Sequence, residues 1–260
     1  GVANSETMRR DYREMLFAAT GASEYISGVI LYDETLRQRA ADGTPFVDLL
    51  KKRAMIPGIK VDTGAKDLAG CPGEKITEGL DGLRERFKEY YKLGARFAKW
   101  RAVINIAESA PSETCLIANA EALARYAALA QEQSLVPIVE PEVIMDGAHT
   151  IERCEEVTAR ALVHVFTKLR EQRVLLEGML LKPNMIVSGS EAIKQADVAT
   201  VAERTVKTLL RCVPAAVPGI VFLSGGQSDE LATAHLNAMN AKYSQLPWQL
   251  SFSCLLYTSD

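Results

Sequence analysis

What most constrains this chain is the alternation, along its 260 residues, of short β-type runs with longer amphipathic segments. Runs rich in branched and aromatic side chains fall at 27–32, 57–61, 96–104, 135–140, 177–182, 219–224 and 248–253. The stretches between them carry apolar residues three and four apart, a spacing that collects them on one helical face. Leu80, Leu83, Phe87 and Tyr90 repeat in this way as far as Gly94, a residue suited to the left-handed turn that closes a helix. Leu116, Ala120, Leu123 and Ala127 follow Ser112 similarly, and Cys154, Val157, Ala161 and Val165 follow His149 and Thr150. These stripes read as core faces. Strands separated by helices imply parallel pairing, because a parallel neighbour is reached only through a long crossover.

Two parallel architectures compete for such a pattern. A doubly wound sheet that binds a dinucleotide shows a glycine-rich fingerprint after its first strand, and none occurs here; Gly225-Gly226 is the one paired glycine. The expected fold is therefore an α/β TIM (β/α)8 barrel, truncated to about seven to eight strands, occupying 1–253 as a single domain, with 254–260 outside the pattern. A barrel keeps its chemistry at the C-terminal ends of its strands. Lys60, Lys99 with Arg101, Glu140 with Glu142, Lys182, and Ser224-Gly225-Gly226 all fall at or near such ends.

Lys182 closes the apolar run Met179-Leu180-Leu181 and is followed by Pro183-Asn184-Met185. A cation so placed must reach solvent, find an anion or lose its proton, and a neutral lysine amine can attack a carbonyl to form a Schiff base. Residues two apart on a strand share a face, so Lys99 pairs in direction with Arg101, and Glu140 with Glu142 across Pro141. Cations gathered beside a lysine favour its neutral amine, while nearby carboxylates supply a proton donor and an ionic partner. The alternative is an inward salt-bridge layer that only stabilises the barrel. Ser224-Gly225-Gly226 stands before the helix expected near Ser228, where backbone N–H groups can close on a phosphate; the same tripeptide is also a plain turn.

Charge and composition exclude other classes. With 30 Lys and Arg against 33 Asp and Glu, the chain lacks the basic excess of a nucleic-acid binder. No apolar run approaches the roughly 20 residues that span a bilayer, and the first residues carry no signal-peptide pattern. Five scattered cysteines, Cys71, Cys115, Cys154, Cys212 and Cys254, read as reduced thiols of a cytoplasmic protein, most of them packed on helix faces. His149, His164 and His235 make no ligand cluster; no metal or other cofactor is expected, and the three read as surface or capping residues.

Five segments carry a family resemblance: Gly58-Ile59-Lys60-Val61-Asp62, Phe97-Ala98-Lys99-Trp100-Arg101, Pro137-Ile138-Val139-Glu140-Pro141-Glu142, Leu180-Leu181-Lys182-Pro183-Asn184-Met185 and Leu223-Ser224-Gly225-Gly226-Gln227-Ser228. Together they resemble class I fructose-bisphosphate aldolase, in order from about Asn4 to Ser253. Arg9-Arg10, Gly28-Val29-Ile30-Leu31, Glu34-Thr35-Leu36, Gly79-Leu80-Asp81-Gly82-Leu83 and Ala124-Arg125-Tyr126-Ala127 follow the same pattern.

The resemblance implies an aldehyde-lyase of glycolysis and gluconeogenesis. It would cleave fructose 1,6-bisphosphate to dihydroxyacetone phosphate and glyceraldehyde 3-phosphate without a metal. Lys182 would attack the ketose carbonyl, and the resulting iminium would act as the electron sink. Glu140 would be the general acid or base for that Schiff base, and Lys99 would poise the site and orient substrate, with Glu142 as its ionic partner. Arg101 would neighbour the substrate, Lys60 and Arg9 would serve the distal phosphate, and Leu223, Ser224 and Gly225 would cradle the ketone-side phosphate. A cytoplasmic homotetramer is implied, together with association with actin. The pattern lacks the family's first strand and departs after Ser253, so the resemblance also implies a chain that forms the imine but cleaves little. Against the enzyme stands the reading of an inactive fragment or a non-catalytic scaffold.

Overall fold

In the computed structural model, which describes residues 5–254, the expected runs become strands close to where the sequence puts them. In chain order they are β1 (Gly28–Leu31), β2 (Ile56–Lys60), β3 (Ala65–Asp67), β4 (Lys75–Thr77), β5 (Phe97–Ile104), β6 (Val136–Val143), β7 (Leu180–Leu181), β8 (Gly219–Phe222) and β9 (Gln249–Phe252). Seven form one sheet in the order β1-β2-β5-β6-β7-β8-β9, every neighbouring pair parallel, while β3 and β4 make a separate antiparallel hairpin. Of the departure expected over 254–260, all but Cys254 lies outside the described residues.

The helices are α1 (Glu6–Ala18), α2 (Ala22–Tyr25), α3 (Asp33–Arg37), α4 (Phe46–Lys52), α5 (Leu83–Leu93), α6 (Glu113–Glu132), α7 (Ile151–Glu171), α8 (Val198–Cys212) and α9 (Asp229–Lys242). Their starts are chemically marked. Side-chain oxygens of Ser112, Thr150, Asp197 and Ser228 accept from backbone N–H groups three residues on, satisfying donors that the first turn leaves free. Helix α5 stops at Gly94, which sits at a φ of 111° that disfavours any residue with a Cβ.

Strand β5 shows how the two faces divide. Ala98, Trp100, Ala102 and Ile104 are buried towards the helices, where Trp100 stacks on Tyr126 of α6 at 5.6 Å between ring centroids. The Tyr126 hydroxyl donates to the carbonyl of Ile138 at 3.1 Å, joining α6 to β6. Phe97, Lys99, Arg101 and Val103 take the opposite face, in register with Gly58 and Lys60 on β2 and with Glu140 and Glu142 on β6. A Cβ at Gly58 would overlap the Phe97 ring, and one at Gly28 would stand 3.0 Å from it. Two glycines therefore make room for the ring that floors this face.

Three departures from the sequence reading appear in the structure. Over 177–182 the strand shrinks to Leu180–Leu181, because the amide of Gln131 on α6 grips the preceding loop. It accepts from Leu175 N–H at 2.9 Å and donates to the carbonyls of Leu175 and Gly178 at 2.7 and 3.3 Å. Strand β6 runs three residues beyond the expected end, straight through Pro141. His235 is no surface residue: it is buried on α9 with Nδ1 2.7 Å from Gln227 Oε1.

Candidate functional site

Strands β2, β5, β6 and β7 end at one edge of the sheet, and their registers decide which charges meet there. Lys60 lies opposite Lys99, and Arg101 opposite Glu140. Lys182 continues past β7, its N–H donating to the carbonyl of Val139 at 2.8 Å, which brings its side chain level with Glu140. All three groups of the resulting cluster are buried, with 6% exposure for Lys99, 3% for Glu140 and 5% for Lys182. Glu140 Oε1 is 3.0 Å from Lys182 Nζ, and Oε2 is 3.3 Å from Lys99 Nζ.

One buried carboxylate thus faces two buried ammoniums. The Lys99 contact is an ion pair without an aligned hydrogen bond: among the described residues Oε2 has no hydrogen-bond partner. A carboxylate oxygen so placed, next to an amine and not consumed by another donor, has the position required of a proton acceptor or donor.

Glu142 departs from its expected partner. It pairs with Arg101 Nε rather than with Lys99, whose carboxylate is Glu140. That bond holds the Arg101 guanidinium above its ordinary pKa. A shared face could not distinguish the two acids, and the register alone would set Arg101 against Glu140; each cation instead reaches diagonally to the acid two residues past its cross-strand neighbour, Lys99 to Glu140 and Arg101 to Glu142.

Lys60 Nζ donates to Asp62 Oδ1 at 2.5 Å and to the Asp62 carbonyl at 3.0 Å, and stands 5.9 Å from the Tyr32 ring. Asp62 is a polar member that the sequence reading left without a role. Its other oxygen accepts from Arg101 N–H at 3.3 Å, so it ties the β2 and β5 ends together. Its position two residues beyond Lys60 was the available signal. Arg9 on α1 reaches Glu34, two residues past Tyr32, through Nε and Nη2 at 3.0 and 2.7 Å. Hydrogen bonds from Arg9 and Arg13 hold the Glu34 carboxyl down to about 2.

On the other flank, Leu223 N–H donates to the carbonyl of Pro183 at 3.3 Å, which links the loop after β8 to the segment after Lys182. A Cβ on Gly225 would lie 3.7 Å from Glu142 Oε1, and one on Gly226 would overlap Met145 Sδ. Gly226 also has a φ of 76°, so the turn needs glycine on two counts. The Ser224 hydroxyl is 3.3 Å from Cys254 Sγ. The edge therefore holds Lys99, Glu140 and Lys182 together at its centre, Arg101, Glu142, Asp62 and Lys60 to one side, and the glycine turn to the other. Arg9 approaches through the α3 corner.

Such a cluster can form and resolve an imine, and comparisons with known proteins agree with that chemistry. The family model described as "Fructose-bisphosphate aldolase class-I" matches residues 1–256. A probable fructose-bisphosphate aldolase class 1 of Xanthomonas axonopodis pv. citri is 60% identical over 253 residues, 97% of this chain and 75% of that protein. Cytosolic fructose-bisphosphate aldolase 6 of Arabidopsis thaliana is 56% identical over 97% of this chain and 70% of its own length. Among solved structures, fructose-bisphosphate aldolase from Plasmodium falciparum, in a complex with TRAP and a small-molecule inhibitor, superposes with a TM-score of 0.95. It is 49% identical, across 97% of this chain and 73% of that one. The parallel sheet and its helices are thus those of a TIM-barrel aldolase, and the chain belongs to the class I fructose-bisphosphate aldolases.

Proposed function

We propose that within this aldolase Lys182 is the residue that forms the Schiff base with the ketose carbonyl, and that Glu140 moves the protons of that step. The observation that carries the reading is the shared carboxylate: Glu140 is 3.0 Å from one buried lysine and 3.3 Å from another. Attack on a carbonyl needs a neutral amine, so the proton of Lys182 must leave; Glu140 is the adjacent acceptor. The same carboxyl then donates to the carbinol oxygen that departs as water when the imine forms. Lys99 keeps a positive charge beside Glu140 and can orient an oxygen of the substrate, and Arg101, steadied by Glu142, faces the substrate from β5.

Lys60 and Arg9 serve the phosphate on the aldehyde side, and the backbone of Leu223, Ser224 and Gly225 cradles the one on the ketone side. The barrel residues 1–253 act as one domain. The protein works in the cytoplasm as a homotetramer and can associate with actin, in keeping with its family. Identities of 54–61% to proteins named as aldolases speak for the enzyme over an inert fragment or a scaffold.

The test is borohydride reduction in the presence of dihydroxyacetone phosphate, followed by peptide mapping. A mass increment on the peptide containing Lys182, absent in Lys182→Met, is the expected result. Labelling of another lysine, with Lys182 unmodified in folded protein, would overturn the assignment.

A further inference from the structure

Between β6 and β7 the backbone ladder is cut short at a proline. Pro141 on β6 lacks the N–H that would donate to the carbonyl of Lys182, whereas the backbone of Pro183 faces β8. The last regular bond is the one from Lys182 N–H to the carbonyl of Val139. In an uninterrupted parallel ladder with the register Val139↔Leu181, the N–H of Val143 would donate to the main-chain carbonyl of residue 184. It donates instead to the side-chain carbonyl of Asn184, at 3.1 Å.

The Asn184 amide is locked from the other side as well. Its Nδ2 donates to Thr158 Oγ1 on α7 at 3.0 Å and to the carbonyl of Met185 at 3.0 Å. Asn184 is 5% exposed and Thr158 2%. One side chain thus splices the C-terminal half of β6, which carries Glu140 and Glu142, to the chain two residues beyond Lys182, and anchors both to α7.

We infer that Asn184 is a positioning residue for the covalent step: its amide stands in for the missing ladder bonds and sets the separation of Lys182 from Glu140. The inference rests on the reading of Lys182 as the nucleophile. Asn184 touches neither Lys182 Nζ nor Glu140 in its hydrogen bonds, and it acts only through the seam between their strands. A small misplacement of reacting groups costs rate far more than it costs binding, about 100-fold for a shift near 1 Å. Loss of the splice therefore slows imine formation and leaves phosphate binding in place.

The experiment measures single-turnover trapping by borohydride with saturating dihydroxyacetone phosphate. It is paired with equilibrium binding of a reduced sugar bisphosphate that has no carbonyl. Asn184→Ala is expected to trap about 10- to 100-fold more slowly while binding the reduced ligand within about threefold of the parent. Asn184→Asp keeps the acceptor for Val143 N–H and recovers part of the rate, an outcome a mere packing role would not produce. Where Asn184→Ala is not folded by circular dichroism, Thr158→Val carries the test, since it releases the amide from α7 and leaves the Val143 bond; a several-fold fall in trapping is expected. Trapping at the parental rate in folded Asn184→Ala, or in Thr158→Val where the alanine variant does not fold, overturns the inference, as does equal loss of rate and affinity. Peptide mapping of the parent separates the two readings: a label on another lysine refutes the Lys182 assignment, whereas a label on Lys182 with an unchanged rate in the variant refutes only the role of Asn184.

Discussion

Glu140 is the residue on which the site turns, because it holds two cations that would otherwise be buried without an anion. Glu140→Gln keeps the shape and one acceptor but removes the charge. Breaking a buried pair on one side costs about 3–5 kcal/mol, and loss of a general acid–base group costs about 100-fold or more in rate. Urea denaturation of Glu140→Gln should show a loss of that size, partly recovered in the double variant with Lys99→Met, where one uncompensated ammonium is gone. Imine trapping should fall by about two orders of magnitude in the single variant. Parental stability in Glu140→Gln would show that the lysines draw their compensation from elsewhere. Much of this cluster was legible beforehand, since a strand that ends in lysine after an apolar run advertises a buried cation. Which acid partners which base was not, because face parity is shared by Glu140 and Glu142, and the pairs form diagonally, each cation with the acid two residues past its cross-strand neighbour.

At the scale of elements, the strands were readable because each half-buried or buried run differs in composition from the helix beside it. The exceptions are instructive. Hairpin β3–β4 is not legible in the sequence because Ala65, Lys66 and Asp67 are all exposed, so no apolar alternation marks them. Helix α1 is not legible either. It docks chiefly through Phe17, edge-on to Phe46 at 5.2 Å, and through Arg9 and Arg13 on Glu34. The truncation of β7 depends on Gln131, 44 residues before the Leu175 that it grips, a contact no local pattern contains. The glycine floor makes a sharp prediction here. Gly58→Ala drives a methyl group into the Phe97 ring, and overpacking of this kind costs about 1–3 kcal/mol. The double variant with Phe97→Leu should be less destabilised than the two single effects added together. Additive losses in that double-mutant cycle, read from denaturation midpoints, would mean that ring and glycine do not compete for the same space.

For the molecule as a whole, acid stability follows from groups that are held in one protonation state. Burial lowers the pKa of His149, with the Arg153 charge adding to it, and burial alone lowers that of His235. The unfolded chain therefore takes up these protons at higher pH than the folded one. The stabilisation from neutral imidazoles is complete above the ordinary histidine value near 6.5 and is lost as pH falls through the lower folded values. Glu34 follows the same sign lower down: its contribution is present above the ordinary glutamate value near 4.3 and disappears as pH falls towards about 2. Denaturation midpoints should accordingly decline in two stages, the first below pH ~6.5 and the second below pH ~4.3. His235→Asn should shrink the first stage and leave the second. A flat profile between pH 7 and 5 would contradict the histidine account.

Trp100 gives the molecule an optical consequence. It is one of two tryptophans, lies between Lys99 and Arg101 in sequence, and turns its fully buried indole to the opposite face of β5, against Tyr126. Its Nε1 finds no hydrogen-bond partner among the described residues, whereas the Trp248 indole N–H donates to the carbonyl of Pro214 at 3.0 Å. An indole without a polar partner emits far to the blue, and one that shares a strand with two cations feels their field through the backbone. Trp248→Phe therefore leaves a single-wavelength reporter on the back of the catalytic sheet. Its emission should sit near the blue limit, and should shift when a ketose phosphate neutralises the charges across the strand, with no dye attached. An emission maximum near that of exposed tryptophan would show that water reaches the indole.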